Sequence, residues 1–288
     1  RPLLTWLGDL AVRNALVPSG APAADLAPRE FERVLIAGLG GDAATASVDF
    51  SLRALKLAAF AVRERLSQAH WNLIVQAGQE FAQRSAAATK GGGTAASDAP
   101  AILDAVSAQL AAIAAAQNDH MARDDGWRLL GIGRKLERLG FLAASLAHGF
   151  ETGSMHDVDG FEAMVALFDS TALLHARHPN GHEVAALLDL LVLDRENPRS
   201  LRRVAQALVQ CLDGLASDGP GQAGPLARQV PDSDPWDLTQ LCTADGASNH
   251  DRLMDLLQQC MSAARAVSNG IGNLYFTHTS VPEPIGGA

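Results

Sequence analysis

The segment at residues 126–150, GWRLLGIGRKLERLGFLAASLAHGF, has apolar residues at helical spacing on two opposite sides. Side chains that recur every three or four positions lie on one face of a helix. A helix that is apolar on two sides packs between neighbours, so the segment predicts an interior helix of a bundle. One stripe contains Trp127, Leu130, Gly131, Arg134, Arg138, Phe141 and Ser145, and the other contains Leu129, Ile132, Leu136, Leu139, Ala143 and Leu146.

The first stripe includes two arginines, and an unpaired cation in an apolar environment is costly. We therefore predict that Glu137 and other carboxylates pair with Arg134 and Arg138 inside the fold. Arg63 and Glu64 belong to a second charged cluster on another predicted helix. Two interpretations remain open for these clusters. They form either an ion-pair network that fixes the register of the bundle, or an anion pocket in which arginines bind a carboxylate or a phosphate.

Helical patterns continue through the rest of the chain, and the alternation typical of strands does not persist anywhere. The patterns predict a long helix over about 44–84 with a bend near Ser67, and further helices over 101–121, 161–172 and about 250–276. Small, polar, Gly-rich residues predict flexible loops at about 85–98 and 214–234. We predict an all-α fold, a single bundle over residues 1–288 of roughly eight to ten helices with buried Arg–carboxylate pairs.

Composition excludes several classes of function. The net charge is −9 and no dense Lys/Arg cluster occurs, which argues against nucleic-acid binding. No apolar run approaches the ~20 residues that a membrane span needs. The three widely spaced cysteines suit a reducing compartment, so we expect a cytoplasmic protein. Because the chain opens with Arg1 rather than Met, we expect it to be a piece of a longer protein.

Several patterns that suggest ligand sites favour structural roles on closer reading. His175, His178 and His182 have a spacing compatible with zinc, but a Pro-Asn-Gly turn interrupts them, so we predict no metal site. The aspartates at 119, 124 and 125 flank a helix junction, and we expect Asp125 to cap the following helix. Neither Gly-rich segment, at 38–47 or at 131–133, completes a nucleotide-binding motif. We therefore expect no bound cofactor and no binding of ATP-Mg.

Five segments, in this order along the chain, resemble the bacterial alpha-E domain family, an all-helical family named for a Glu-Arg motif. The central one contains Glu137 and Arg138, and the first has Val12-Arg13 where a Glu-Arg pair is usual in that family. The segments are TWLGDLAVRN (5–14), VRERLSQAHW (62–71), DDGWRLLGIGRKLERLGF (124–141), LDLLVLDRENPRSL (188–201) and SNGIGNLYFTH (268–278).

The resemblance implies a function through association. Members of the alpha-E family occur beside or fused to circularly permuted ATP-grasp modules that resemble peptide or amide ligases, and near transglutaminase-like proteins. This implies a non-catalytic helical scaffold or partner domain, with ATP binding and bond formation in the partner. The alternative is an enzyme or substrate-binding domain whose Arg/Glu cluster binds an amino acid or peptide carboxylate during ligation or amidation. A polar cleft converging on Arg63, Arg134 and Arg138 would favour that alternative, and a dry, fully paired core with an apolar outer patch would favour the scaffold.

Overall fold

The computed structural model describes residues 2–18, 20–40, 47–89, 97–179, 181–218, 224–242 and 250–276. Within these ranges the chain forms thirteen α-helices, a few 3-10 turns, one π-helical segment and no strand. The predicted all-α fold is therefore confirmed. The helices outnumber the predicted eight to ten because several of them are only one or two turns long.

The chain divides into two compact units, each described by itself below. Unit 1 consists of Arg1–Trp127 with Glu151–Gly160, and unit 2 consists of Arg128–Phe150 with Phe161–Ala288. The organisation of residues 1–288 as one domain stays a prediction.

Unit 1 contains five helices: α1 (Pro2–Arg13), α2 (Pro28–Ala37), α3 (Val48–Ala61), α4 (Gln68–Thr89) and α5 (Ala99–His120). Helices α3, α4 and α5 share a core because each turns an apolar stripe towards the others. The buried members of that core are Leu52, Ala59, Leu66, Ile74, Ala77, Phe81, Ile102, Val106 and Ile113.

The helix predicted over 44–84 is two helices rather than one bent helix. A 3-10 turn at Arg63–Arg65 separates α3 from α4. The Ser67 hydroxyl accepts a hydrogen bond from the backbone N–H of His70 at 3.1 Å, so Ser67 caps the start of α4. The apolar periodicity continues across the interruption because α3 and α4 contribute to the same core.

Helix α5 is long and apolar enough to cross a membrane by length and composition alone. In unit 1 it packs against α4 and places Ile102, Val106 and Ile113 in the shared core. The core helix of a soluble protein passes the same test of length and hydropathy. One such helix is therefore weak evidence for a membrane span.

Unit 2 is organised around α6 (Asp125–Glu151), of which residues 128–150 belong to this unit. The remaining helices are α7 (Val158–Leu167), α8 (Thr171–Arg177), α9 (Val184–Leu188), α10 (Leu201–Asp218), α11 (Gly224–Ala227), α12 (Leu238–Cys242) and α13 (Asp251–Tyr275). A π-helical segment, Asp189–Leu193, continues directly from α9.

Helices α6 and α13 run antiparallel in the core of unit 2. A Cβ added to Gly140 would lie 3.6 Å from the Cβ of Ala264, so the two helices approach closely there. Towards the other end of the pair, the rings of Phe150 and His250 stand 4.9 Å apart between centroids. Residues near the start of α13 therefore lie alongside the end of α6.

Four local predictions need correction. The helix predicted over 161–172 is two helices, because α7 ends at Leu167 and α8 begins at Thr171. Helix α4 extends to Thr89 and α10 extends to Asp218, so helix occupies the first residues of both predicted loops. The middle of these loops, at 90–96 and 219–223, lies outside the described residues. The start of α6 is capped by Asp124 rather than Asp125, because the Asp124 carboxylate accepts the backbone N–H of Trp127 at 3.1 Å.

Candidate functional site

The charged residues predicted to be buried on α6 lie at the surface. Arg134, Glu137 and Arg138 are all exposed, and within the described part of the chain no hydrogen bond or ion pair joins them to a partner. The prediction that they form buried pairs is therefore wrong. The core face of α6 is the other stripe, which includes Ile132 and Leu139, whereas the arginine stripe turns outward.

The two arginines nevertheless stand in an unusual electrostatic environment. Both side chains reach solvent, and both are crowded enough that desolvation lowers the pKa of the Arg134 and Arg138 guanidinium groups. The pKa of Arg138 is lowered further by the positive charges of Arg199 and Arg134. Among the described residues, no carboxylate forms an ion pair with either guanidinium group. We refer to Arg134, Arg138 and Arg199 as the arginine cluster.

The third arginine of the cluster is positioned by the segment between the π-helical turn and α10. The backbone N–H of Arg199 donates to the side-chain oxygen of Asn197 at 2.9 Å. Its guanidinium lies 3.4 Å from the carboxylate of Asp169, which is well exposed. Asp169 lies two residues after the end of α7 and has a positive φ of 48°, a turn conformation that Asp tolerates. The cluster therefore combines three cations with one nearby carboxylate.

A buried polar network in the same segment was not anticipated from the sequence. The carboxylate of Asp194 is only 3% exposed and forms an ion pair with Arg177. It also accepts the backbone N–H of Glu196 at 2.8 Å, and the backbone carbonyl of Asp194 accepts the hydroxyl of Ser200. This pair is a buried-carboxylate contact of the predicted kind, formed by other residues than those predicted.

Asn197 connects the network to the π-helical segment. Its side-chain N–H groups donate to the carbonyl of Leu190 at 3.0 Å and to the hydroxyl of Ser170 at 3.3 Å. A π-helical turn departs from the regular α-helical bonding pattern, and Asn197 satisfies one carbonyl of that turn. The helix cap of α10 is Ser200, whose hydroxyl accepts the backbone N–H of Arg203 at 3.1 Å. The sequence signal for this network is the polar run DRENPRS, which follows directly after four apolar residues that prove to be buried.

Arg202 contacts the last residue of the π-helical segment. It donates to the carbonyl of Leu193 at 3.3 Å and to the carbonyl of Trp236. Desolvation lowers the pKa of this guanidinium, and the charge of Arg195 lowers it further. Both acceptors are backbone carbonyls, so Arg202 connects the loop near Trp236 to the core of unit 2.

The second predicted cluster lies in unit 1, within the 3-10 turn between α3 and α4. Arg63 donates to the carbonyl of Leu66 at 2.9 Å and to the side chain of Gln68. Its guanidinium also lies 5.3 Å from the centre of the Trp71 ring. Glu64 is exposed and has no ion pair among the residues that the structure describes. The five predicted site residues thus divide between the two units.

Two of the histidines considered as metal ligands form separate pairs with carboxylates. A ring nitrogen of His178 lies 3.0 Å from Asp189, and one of His182 lies 3.2 Å from Glu162. Across the described ranges, no group of three or more His, Cys, Asp or Glu side chains stands close enough to hold a metal ion.

The surface of unit 1 includes an apolar strip along α3 and its end. Leu57 and Phe60 are 71% and 67% exposed, and Phe50 and Val62 are exposed as well. Phe50, Leu57 and Phe60 recur at helical spacing, so they share one side of α3. The Phe60 ring lies 6.2 Å from that of Trp71, the partner of Arg63. We refer to Phe50, Leu57, Phe60 and Val62 as the α3 strip.

Comparison with known proteins identifies the kind of domain. The family model named Alpha-E, described as a predicted alpha-helical domain with a conserved ER motif, matches residues 1–276. Glu-Arg dipeptides occur in this chain at 32–33, 64–65 and 137–138.

Relatives with similar sequences are much longer than this chain. Uncharacterized proteins of Mycobacterium bovis and of two strains of Mycobacterium tuberculosis are 27% identical over 180 residues. The matched region covers 60% of this chain and 19% of each relative, so the chain spans about a fifth of their length. No solved structure matches the chain.

Proposed function

Because this chain belongs to the Alpha-E family, we propose that it acts as a non-catalytic helical partner domain of an ATP-grasp-type peptide or amide ligase system. The ATP-grasp module occupies either the same polypeptide or a separate one, and it supplies ATP binding and bond formation. A transglutaminase-like protein is a second candidate partner. We propose a cytoplasmic location, in keeping with three free cysteines that are widely spaced along the chain.

The observation that carries this proposal is the α3 strip. Contiguous exposed apolar side chains on a soluble domain mark surfaces that are covered by a partner. Leu57 and Phe60 are mostly exposed, although their neighbours Leu52 and Ala59 on the same helix are buried in the core of unit 1. Helix α3 is therefore apolar on two sides, and only one of them is used within the unit.

The surroundings of the strip are suited to protein recognition. Aromatic residues and arginine are enriched in the energetically important centres of interfaces. Phe60, Trp71 and Arg63 form a contiguous group at the end of the strip. The centres of the Phe60 and Trp71 rings are 6.2 Å apart, and the guanidinium carbon of Arg63 lies 5.3 Å from the centre of the Trp71 ring. Because Arg63 is fixed by its bonds to Leu66 and Gln68, the group is ordered before a partner arrives.

The length of the relatives supports an adjoining module as the partner that covers the α3 strip. The matched region is 19% of each mycobacterial protein, so most of each relative lies outside it. A domain embedded in a longer chain has a partner at high effective concentration, because the connecting chain limits how far the two separate. We therefore assign the α3 strip to the ATP-grasp module rather than to a second copy of this domain.

The test is co-elution of this chain with the ATP-grasp-type module of its parent polypeptide or adjacent reading frame. We expect a complex with the wild type, and we expect Leu57→Ser with Phe60→Ser to lower the affinity by about a hundredfold, since two central apolar anchors are removed. The matched control is Leu103→Ser with Leu110→Ser. These two exposed leucines lie seven residues apart on α5 and do not belong to the α3 strip. No complex with the wild type, or equal losses in both double variants, would refute the proposal.

The alternative is an enzyme or substrate-binding domain that uses the predicted Arg/Glu cluster for an amino acid or peptide carboxylate. One observation favours it: Arg134 and Arg138 have no carboxylate partner among the residues that the structure describes. Arg63 contributes less, because its guanidinium already bonds to Leu66 and Gln68. Single-turnover ligation assays with the complete system would separate the two, since Arg138→Ala abolishes turnover only if the alternative holds.

A further inference from the structure

Arg134 and Arg138 stand one turn apart on α6, and neither forms an ion pair with a described residue, which is an unfavourable arrangement for a helix. Arg134 and Arg138 are at positions i and i+4, so their side chains share one face. Like charges at this spacing destabilise a helix. The arrangement becomes favourable when an anion binds between the two guanidinium groups.

Another arginine in the same unit shows how a carboxylate partner changes the pKa of a guanidinium group. Arg177 donates to Asp194, and this contact raises the pKa of Arg177. For Arg138 the neighbouring charges are two other arginines, and the pKa is lowered. Glu137, which directly precedes Arg138, is exposed and forms no ion pair with Arg134 or Arg138.

The fold brings the third arginine to the same place. The ring of Phe141, three residues after Arg138 on α6, contacts the ring of Phe168 at 5.7 Å. Phe168 immediately precedes Asp169, whose carboxylate lies 3.4 Å from the guanidinium of Arg199. The end of α7 therefore lies beside the Arg138 turn of α6, and the loop carrying Arg199 reaches the same surface. The bond between the Arg199 backbone and Asn197 fixes that loop.

We propose that Arg134, Arg138 and Arg199 form a binding site for an oxyanion group that carries two negative charges, such as a phosphate monoester or a dicarboxylate. Among the described residues, the ion pair of this cluster is that between Arg199 and the exposed carboxylate of Asp169, so positive charge exceeds paired negative charge there. A doubly charged oxyanion offsets more of that excess than a single carboxylate does. Guanidinium groups bind planar or tetrahedral oxyanions through paired N–H donors.

This site is independent of the α3 strip. The arginine cluster belongs to unit 2 and the α3 strip to unit 1, and no residue is shared. Loss of anion binding therefore leaves the docking proposal intact, and loss of docking leaves the anion site intact.

Isothermal titration of the purified chain at fixed ionic strength tests the proposal. The probes are inorganic phosphate and succinate as the two sources of a dianion, and acetate as the singly charged comparison. We expect saturable binding of phosphate or succinate that is at least about tenfold tighter than that of acetate. Whichever dianion binds more tightly identifies the ligand class.

Variants then locate the site. Arg134→Ala with Arg138→Ala should abolish measurable binding, and Arg138→Lys should weaken it by about tenfold, because lysine keeps the charge and loses the fork of donors. The matched control is Arg252→Ala, an exposed arginine near the opposite end of the α6–α13 pair, which should leave binding unchanged. Circular dichroism melts verify that each variant is folded.

Three results would overturn the proposal: no saturable binding of either dianion, acetate binding as tightly as the dianions, or unchanged binding in the folded double variant. If the double variant fails to fold, Arg138→Lys decides the question by itself, since unchanged phosphate and succinate affinities in that variant also contradict the site.

Discussion

The carboxylate of Asp194 is almost fully buried, and its charge is matched by the guanidinium of Arg177 seventeen residues earlier in the chain. The same carboxylate accepts the backbone N–H of Glu196, so it joins the end of α8 to the segment that precedes α10. Removing one partner of such a pair leaves a buried charge or a buried N–H unsatisfied. The local structure of this segment therefore depends on both contacts of the Asp194 carboxylate.

We expect Asp194→Ala to lower the thermal midpoint of the chain by at least about 5 °C, because a buried hydrogen-bond network is broken. Differential scanning calorimetry measures the change. The control is Glu196→Ala, an exposed neighbour whose backbone N–H is retained, and its midpoint should stay within about 1 °C of the wild type. Equal midpoints for Asp194→Ala and the wild type would show that the network contributes nothing to stability.

Sequence reasoning located the helices well because apolar periodicity reports the core directly. Val48, Leu52, Leu55 and Ala59 recur at helical spacing and pack in the core of unit 1, and the stripe of α6 from Ile132 to Leu146 is buried as well. The 3-10 turn between α3 and α4 was not predicted. The helices on both sides of it pack into one core, so the apolar periodicity continues across the turn.

The candidate site was harder to predict, since residue type does not reveal which of two apolar stripes faces inward. Arg134 and Arg138 share a stripe with Trp127 and Phe141, and that stripe turns outward along most of its length. Asp194 and Asn197 look like ordinary turn residues in the run DRENPRS. Their burial depends on the π-helical segment beside them. The apolar periodicity of the sequence does not predict the geometry of that segment.

The position of Glu137 leads to a second prediction. If Glu137 compensated two buried arginines, Glu137→Ala would cost about 3–5 kcal/mol. Since Glu137 is exposed, we expect the free energy of unfolding to change by less than about 0.5 kcal/mol. Urea titration followed by circular dichroism distinguishes these values. A loss of several kcal/mol would mean that the charged stripe is buried after all.

Cys260 gives a pH dependence with a definite sign. Burial raises the pKa of this thiol from 9.0 to about 12, because the thiolate is poorly solvated in the core. The folded state holds the proton more tightly than the unfolded state, so the stabilisation is complete below pH 9.0 and is lost as the pH rises towards about 12. Unfolding free energies measured between pH 8 and pH 11 should therefore fall in the wild type.

The same burial makes Cys260 unreactive while the chain is folded. We expect iodoacetamide at pH 8 to label Cys260 only after denaturation, since the thiolate is the reactive form and is suppressed here. For the pH dependence of the unfolding free energy, the matched control is Cys260→Ala, which lacks the thiol and should therefore lose the contribution of this thiol. Rapid labelling of Cys260 in the native protein, located by mass spectrometry, would contradict its placement in the core.

Gly160 occupies a position in unit 1 where a side chain does not fit. A Cβ at this position would lie 2.1 Å from the backbone carbonyl oxygen of Ser154, and backbone atoms cannot withdraw as a flexible side chain can. The turn at Ser154 is itself held by the bond from its hydroxyl to the carbonyl of Pro2 at 2.9 Å. We expect Gly160→Ala to destabilise the chain by about 1–3 kcal/mol, as overpacking does.

Gly133 provides the comparison for this prediction, because no atom lies within 4 Å of a Cβ added there and the residue is exposed on α6. Alanine favours a helix over glycine by up to about 1 kcal/mol, so Gly133→Ala should stabilise the chain slightly. The two substitutions add the same methyl group to helical glycines and are expected to shift the urea midpoint in opposite directions. Shifts of the same sign would mean that the Ser154 turn moves aside and that the close contact at Gly160 is not a constraint of the fold.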